Sequence, residues 1–279
     1  MYSQFLPDNF RADSKIAVIA GKGLYPILTV ENLRKGGIPC CLVAFEEETS
    51  IELYNSFDSK NRVMLKVGQL GHLLKALQKF EANYAIMAGQ ITPRRLFKGL
   101  HPDLKAIIIL HRLREKNAET IFGAIAEEML QIKVPLLDAR CFLDHELAHK
   151  GLMTNTKSSI DETVLQHGIH IAKSVASLDI GQGVVVNNGT VLAVEAFEGT
   201  DAMLRRAGSF EAKQPLFIKT VKPNQDYRFD VPVFGMKTIE VLHEANIPHA
   251  ALEANKTLIL QKEIVLQAAS KYKITILGY

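Results

Sequence analysis

The chain has 279 residues, 47% of them hydrophobic and 23% charged. That balance supports a buried core and excludes the disordered and low-complexity classes. Thirty-three lysines and arginines against 30 acids leave a formal charge of +3, too small to argue for nucleic acid as a partner. Cys40, Cys41 and Cys141 form no CxxC pair and leave an odd thiol, which speaks against a disulfide framework or structural zinc and for a reducing compartment. The first residues carry no apolar signal core, and no apolar run approaches the ~18 residues of a membrane span. A cytoplasmic protein is expected, its closest approach to a membrane being peripheral.

Lys15 to Ala20 (KIAVIA) reads as a short strand entering Gly21-Lys22-Gly23, followed by a helix to Lys35 and a second strand at Cys40 to Phe45. Leu70, Leu73, Leu74 and Leu77 mark one face of a helix, and Tyr84 to Ala88 is again strand-like before Gly89. This alternation implies parallel βα units and an α/β fold. From Pro93 the pattern is helical, first over Leu104 to Leu113 and then along Ile121, Ile125, Met129 and Ile132. At a prior of roughly 150 residues per domain, the chain divides into 1–150 and 151–279.

The second half opens with Ser159 and Glu162 in capping-box spacing, ahead of a helix whose apolar face runs from Ile160 to Leu178. Val184 to Val186 and Val191 to Val194 flank Asn188-Gly189, a pair suited to a type I′ hairpin turn. A strand at Leu216 to Val221, a long polar loop to Gly235 and a helix at Thr238 to Glu244 come next. A second hairpin is expected over Ala250 to Leu260, then a helix at Glu263 to Lys271 and a strand at Ile274 to Leu277.

Five places carry chemistry. At Gly21-Lys22-Gly23 the backbone can approach phosphate at a helix start, but Pro26 stands where a dinucleotide fingerprint has its third glycine. NAD is therefore not expected; phosphate contact or a plain turn remain. His145-Glu146-Leu147-Ala148-His149 matches the H-E-x-x-H zinc-peptidase pattern, which needs both imidazoles one helical turn apart; an exposed helix with two histidines is the plainer reading. Glu195, Glu198 and Asp201 crowd a strand-to-helix junction where Thr200 can cap the helix and oxygen ligands can hold a divalent cation.

The polar loop Lys219 to Gly235 brings Lys219, Lys222 and Arg228 for phosphate charge, and Asp226 and Asp230 for metal or water. Surface ion pairs would account for the same residues. Finally, Pro93 to Lys116 holds seven lysines and arginines against Asp103 and Glu115. Leu96, Phe97, Leu100 and Ile107 to Ile109 are interleaved with them, as in helices resting on anionic headgroups or packed on a core.

The segments IAGKGLYP, VGQLGHLLKAL, AGQITP, AVEAFEGTDAML and QDYRFDVPVFG together resemble the LpxI-type UDP-2,3-diacylglucosamine pyrophosphatases, over nearly the whole chain. The resemblance implies an amino-terminal Rossmann-like domain, a distinct carboxyl-terminal α/β domain and a substrate held between them. It implies hydrolysis of a lipid-linked UDP-sugar to UMP and 2,3-diacylglucosamine 1-phosphate for lipid A. A divalent metal, magnesium or in its place manganese, would assist at the cytosolic face of a bacterial inner membrane, with a homodimer left open. Catalysis would fall to Asp230, in RFDVP, and Asp201. Metal would go to Glu195, Glu198, Asp201 and Asp230. Substrate contact would come from Gly21, Lys22, Gly23, Gln69, Gly89, Gly199, Thr200, Lys222 and Arg228. Two departures stand out: Lys22 replaces a glycine of many relatives, and Asn117-Ala118-Glu119 replaces a Gly-Asp-Asp run. Besides this enzyme, a zinc peptidase on His145, Glu146 and His149 and a non-catalytic nucleotide-sugar sensor are the alternatives.

Overall fold

The computed structural model describes residues 3–91, 102–115, 117–156 and 159–279. Leu96, Phe97, Leu100 and the basic residues from Arg94 to Lys98, together with Lys116, lie outside them. Two compact units form. One comprises Met1–Asp144 together with Tyr227–Asp230, the other His145–Asp226 together with Val231–Tyr279.

The first unit is built on β1 (Ile16–Ala20), β2 (Cys40–Phe45), β3 (Arg62–Leu65) and β4 (Tyr84–Ala88), all parallel in the order β3-β2-β1-β4. Central β1 is apolar throughout because helices cover both faces of a parallel sheet, and all five of its residues are buried. Helix α1 (Leu24–Lys35) connects β1 to β2, and the short α2 (Ile51–Asn55) leads toward β3. Helix α3 (Leu70–Lys79) buries Leu70, Leu73, Leu74 and Leu77, as the periodicity predicts. It packs with α4 (Leu104–Arg112) and α5 (Ala118–Gln131) against Ala17, Ile19, Cys41 and Val43 of the sheet. Asp103 caps α4 by accepting from the Ala106 amide, and it also receives the amides of Gly71 and His72 at the start of α3. Burial works against its charge, but these hydrogen bonds prevail and lower its pKa.

The second unit contains a mixed sheet in the order β5-β12-β10-β8-β6-β7: Gly151–Leu152, Thr275–Gly278, His249–Leu252, Leu216–Lys219, Gly183–Asn187 and Thr190–Val194. Strands β8, β10 and β12 are parallel; β5 and β6 are antiparallel to their neighbours. Helix α6 (Glu162–Ser177) covers one face through Leu165 and Ala172, against Val184, Val186 and Ile218. The other face packs through Val185, Phe217 and Ala250 on α7 (Thr200–Gly208), α8 (Met236–Glu244) and α9 (Lys262–Lys271).

The β6–β7 hairpin forms as expected, Asn188 and Gly189 taking φ of 45° and 83°. Three expectations are corrected. Asp161, not Ser159, caps α6, accepting from Thr163 and Val164, because the helix begins at Glu162. Ala250 to Leu260 is no hairpin: β10 joins the large sheet, while β11 (Leu258–Ile259) pairs in parallel with β9 (Val233–Phe234). Thr200 is not a cap, since Gly199 at φ 80° holds that position and Thr200 is already helical.

Candidate active site

In the first unit, the turns after β1 and β4 are drawn together by a bridge between Lys22 and Gln90, each amide donating to the other's carbonyl over 2.7 and 3.2 Å. A Cβ on Gly21 would stand 2.7 Å from the Gln90 carbonyl oxygen, and one on Gly89 would stand 2.7 Å from that of Lys22. These two glycines therefore serve the close approach of two loops. Gly23 does different work: with φ of 94° it occupies the N-cap of α1 and supplies no side-chain cap. Lys22 is exposed.

Beside this joint lies a pocket of about 420 Å³ lined by Gly21, Gln69, Gly89, Phe122, Phe229 and Asp230 among others. Its walls are mostly apolar, with Leu73 of α3, Ile109 of α4 and Ile125 of α5, and its size suits a small-molecule site. Gln69 accepts from the Lys66 amide through Oε1 and stands at the start of α3. Four of the residues implicated by sequence, Gly21, Gln69, Gly89 and Asp230, thus line one cavity. Gln90, Phe229 and Phe122 also line it; Gln90 lies in the AGQITP segment and Phe229 in QDYRFDVPVFG, though nothing in either segment singles them out, while Phe122 lies in no such motif. Arg228 is exposed, its guanidinium 5.9 Å from the Phe229 ring.

In the second unit, strand β7 ends at Val194, Glu195 follows it directly, and α7 begins five residues after that glutamate. The Thr200 hydroxyl donates to Glu195 Oε1 over 2.6 Å, while Oε2 is buried without a hydrogen-bond partner among the described residues. Lys219, at the end of β8 and only 8% exposed, reaches Thr200 Oγ1 at 3.5 Å. The other two acids are engaged elsewhere. Glu198 meets Arg206 at 2.6 Å, a hydrogen bond that holds its pKa below the ordinary value, and Asp201 meets Lys237 at 3.2 Å. Lys222 pairs with Asp179.

Among the described residues, no three of His, Cys, Asp and Glu are grouped to hold a metal ion. This does not suit a dedicated all-protein cage. The buried, unpartnered Oε2 of Glu195 is the kind of oxygen that magnesium would take, its other positions being filled by waters and phosphate oxygens. The H-E-x-x-H reading is overturned. Asp144–Glu146 form a single 3₁₀ turn, and Leu147 bridges to Leu258, so no α-helix stacks the two imidazoles. Glu146 is buried and accepts from the Lys262 amide at 2.7 Å, which makes it structural.

A parallel sheet whose glycine turns open on a pocket at the carboxyl ends of its strands is the arrangement in which α/β proteins place small-molecule sites. The chain belongs to the LpxI family: residues 15–145 match the LpxI N-terminal domain and residues 149–277 the LpxI C-terminal domain. It is similar to the UDP-2,3-diacylglucosamine pyrophosphatase LpxI of Caulobacter vibrioides, 27% identical over 278 residues that cover 95% of this chain and 97% of that protein.

Proposed function

We propose that this protein hydrolyses the pyrophosphate bond of UDP-2,3-diacylglucosamine, releasing UMP and 2,3-diacylglucosamine 1-phosphate for lipid A biosynthesis. The observation that carries the reading is a carboxylate, Asp230, in the wall of a mostly apolar pocket that also holds Gln69 and Gln90. Such walls offer few partners to a uracil or a phosphate, and they suit acyl chains. A lipid-linked substrate bound there would present its polar end to Asp230, whose carboxylate can orient water toward phosphorus.

Breaking a phosphoanhydride requires a placed nucleophile and neutralised charge more than covalent chemistry. Lys222 and Arg228 are assigned to the phosphates, with Gly199 and Thr200 at the open start of α7. Magnesium, with manganese as substitute, is part of the proposal, and when bound it would neutralise phosphate charge. Asp230 is its assigned ligand, and Asp201 the second carboxylate for metal or water; Glu195 and Glu198 support the cation. Because Glu198 and Asp201 already face Arg206 and Lys237, Glu195 is the better donor of the two glutamates.

Contact with the cytosolic face of the inner membrane belongs to the same reading. Helix α4 lines the pocket with Ala106 and Ile109, while Leu104 is 74% exposed and Ile107 50% exposed, with His111 and Arg112 in its last turn. Apolar side chains beside cations suit a headgroup layer. No described helix is long and apolar enough to cross a membrane.

The test is release of UMP from UDP-2,3-diacylglucosamine in mixed micelles. Asp230→Asn should keep the fold by circular dichroism and lose on the order of 10²–10⁴ in kcat. Tight binding without hydrolysis by the wild type, metal supplied, would replace the enzyme by a sensor.

A further inference from the structure

Tyr227–Asp230 belongs to the first unit although the chain on either side of it belongs to the second. Four consecutive residues have to be held there by something stronger than chain continuity, and their attachments are specific. The Ala139 amide donates to the Tyr227 carbonyl over 2.8 Å. The Ala139 carbonyl in turn accepts from the hydroxyl of Tyr25, on α1, over 2.6 Å. Both backbone groups of Ala139 are therefore committed.

The guanidinium of Arg140 lies 3.5 Å from the centre of the Tyr227 ring and 4.1 Å from that of Phe5. Asp138 fixes its plane through a fork, Nε to Oδ1 at 3.0 Å and Nη2 to Oδ2 at 2.6 Å. Arg140 is only 8% exposed, so the attraction between cation and ring faces is little screened by water. Two residues further on, Phe229 stacks on Phe122 of α5, centroids 5.6 Å apart and planes inclined by 26°. Asp230 follows directly.

We propose that Arg140 and Tyr227 are positioning residues: they pin the strip that carries Asp230 to the first unit and so fix where its carboxylate meets the pocket. Neither residue lines the pocket. The flat, forked guanidinium is required because one group must stack on a ring and bind a carboxylate side-on at once, which an ammonium cannot do. The inference rests on the hydrolytic role of Asp230 proposed above and adds the residues that place it.

The experiment compares Tyr227→Leu, Tyr227→Phe and Arg140→Lys in two measurements: kinetics on UDP-2,3-diacylglucosamine in mixed micelles, and hydrogen exchange of the Ala139 amide. Misplacing a catalytic group costs roughly tenfold to a hundredfold in rate. Tyr227→Leu and Arg140→Lys should accordingly lose about that much kcat, with KM within about twofold, and Ala139 should exchange faster. Tyr227→Phe keeps the ring and should restore both. Unchanged kcat in both damaging variants, unchanged Ala139 exchange, or an equal loss in Tyr227→Phe would overturn the proposal. If Tyr227→Leu fails to fold, Arg140→Lys decides alone. Wild-type protein that releases no UMP would remove the hydrolytic reading and the positioning role with it, whereas a failure confined to the exchange arm would remove only the clamp.

Discussion

Thr200 and Glu195 are joined by a 2.6 Å hydrogen bond across the junction of β7 and α7, and the same hydroxyl oxygen faces the Lys219 ammonium at 3.5 Å. A neutral group thus stands between a carboxylate and a buried cation, donating to one and accepting from the other. Thr200→Val keeps the shape and removes that function. A half-buried carboxylate left short of a donor costs about 1–3 kcal/mol, so urea denaturation should show a loss of that size, with Thr200→Ser recovering most of it. A Val variant as stable as wild type would show that the relay carries no energy.

Removal of divalent metal should abolish UMP release without unfolding the protein, since a cation held by one or two carboxylates adds little to the fold. Activity measured in excess chelator and again after adding magnesium or manganese checks this. Full turnover in chelator would strike the metal from the reaction.

Glu253 should make the second unit acid-sensitive. Burial by itself would raise its pKa, but hydrogen bonds from Lys173, Lys256, the Thr220 hydroxyl and the Val221 amide outweigh it and bring the value to about 2. Its ordinary value is 4.5. A lowered folded-state pKa stabilises the fold above about pH 4.5, and the contribution disappears as pH falls toward 2. Its size is about 3 kcal/mol. Glu253→Gln should therefore melt below wild type at pH 7, and the gap should narrow progressively below pH 4.5. A gap that persists undiminished at pH 2 would contradict this assignment.

His149→Ala should leave UMP release unchanged and remove no zinc, because His149 sits outside any helix and its Nδ1 lies 3.1 Å from the Lys150 carbonyl. Metal analysis of wild type and variant by mass spectrometry decides the point; stoichiometric zinc lost with His149 would reopen the peptidase.

The parts of the fold that were legible in sequence are those whose signal is local. The four leucines of α3 declare a helix face, and Asn188-Gly189 declares a hairpin, because period and positive φ are written in neighbouring residues. Strand β3 went unseen: at Arg62–Leu65 it is short, begins with a charge and gains its strand character from pairing with β2. Ala250 to Leu260 misled for the complementary reason. Two apolar runs around a turn look alike whether they pair with each other or with distant strands, and here distant partners won.

The site divides the same way. Gly21 and Gly23 announced a turn, yet only the fold shows that Gly21 is needed for the approach of Gln90 and Gly23 for its φ. Asp230 stood out through family resemblance. That it shares a cavity with Gln69 and Gly89 depends on chain crossings of more than a hundred residues, which no window of sequence contains.

The placement of Tyr227–Asp230 makes the gene hard to divide. A fragment ending at Asp144 would lack a strip of its own surface, and its Arg140 would face water where a tyrosine ring belongs. Recombination that exchanged the first half for a relative's would thus have to exchange a four-codon patch far downstream as well, so the two halves are expected to be inherited together.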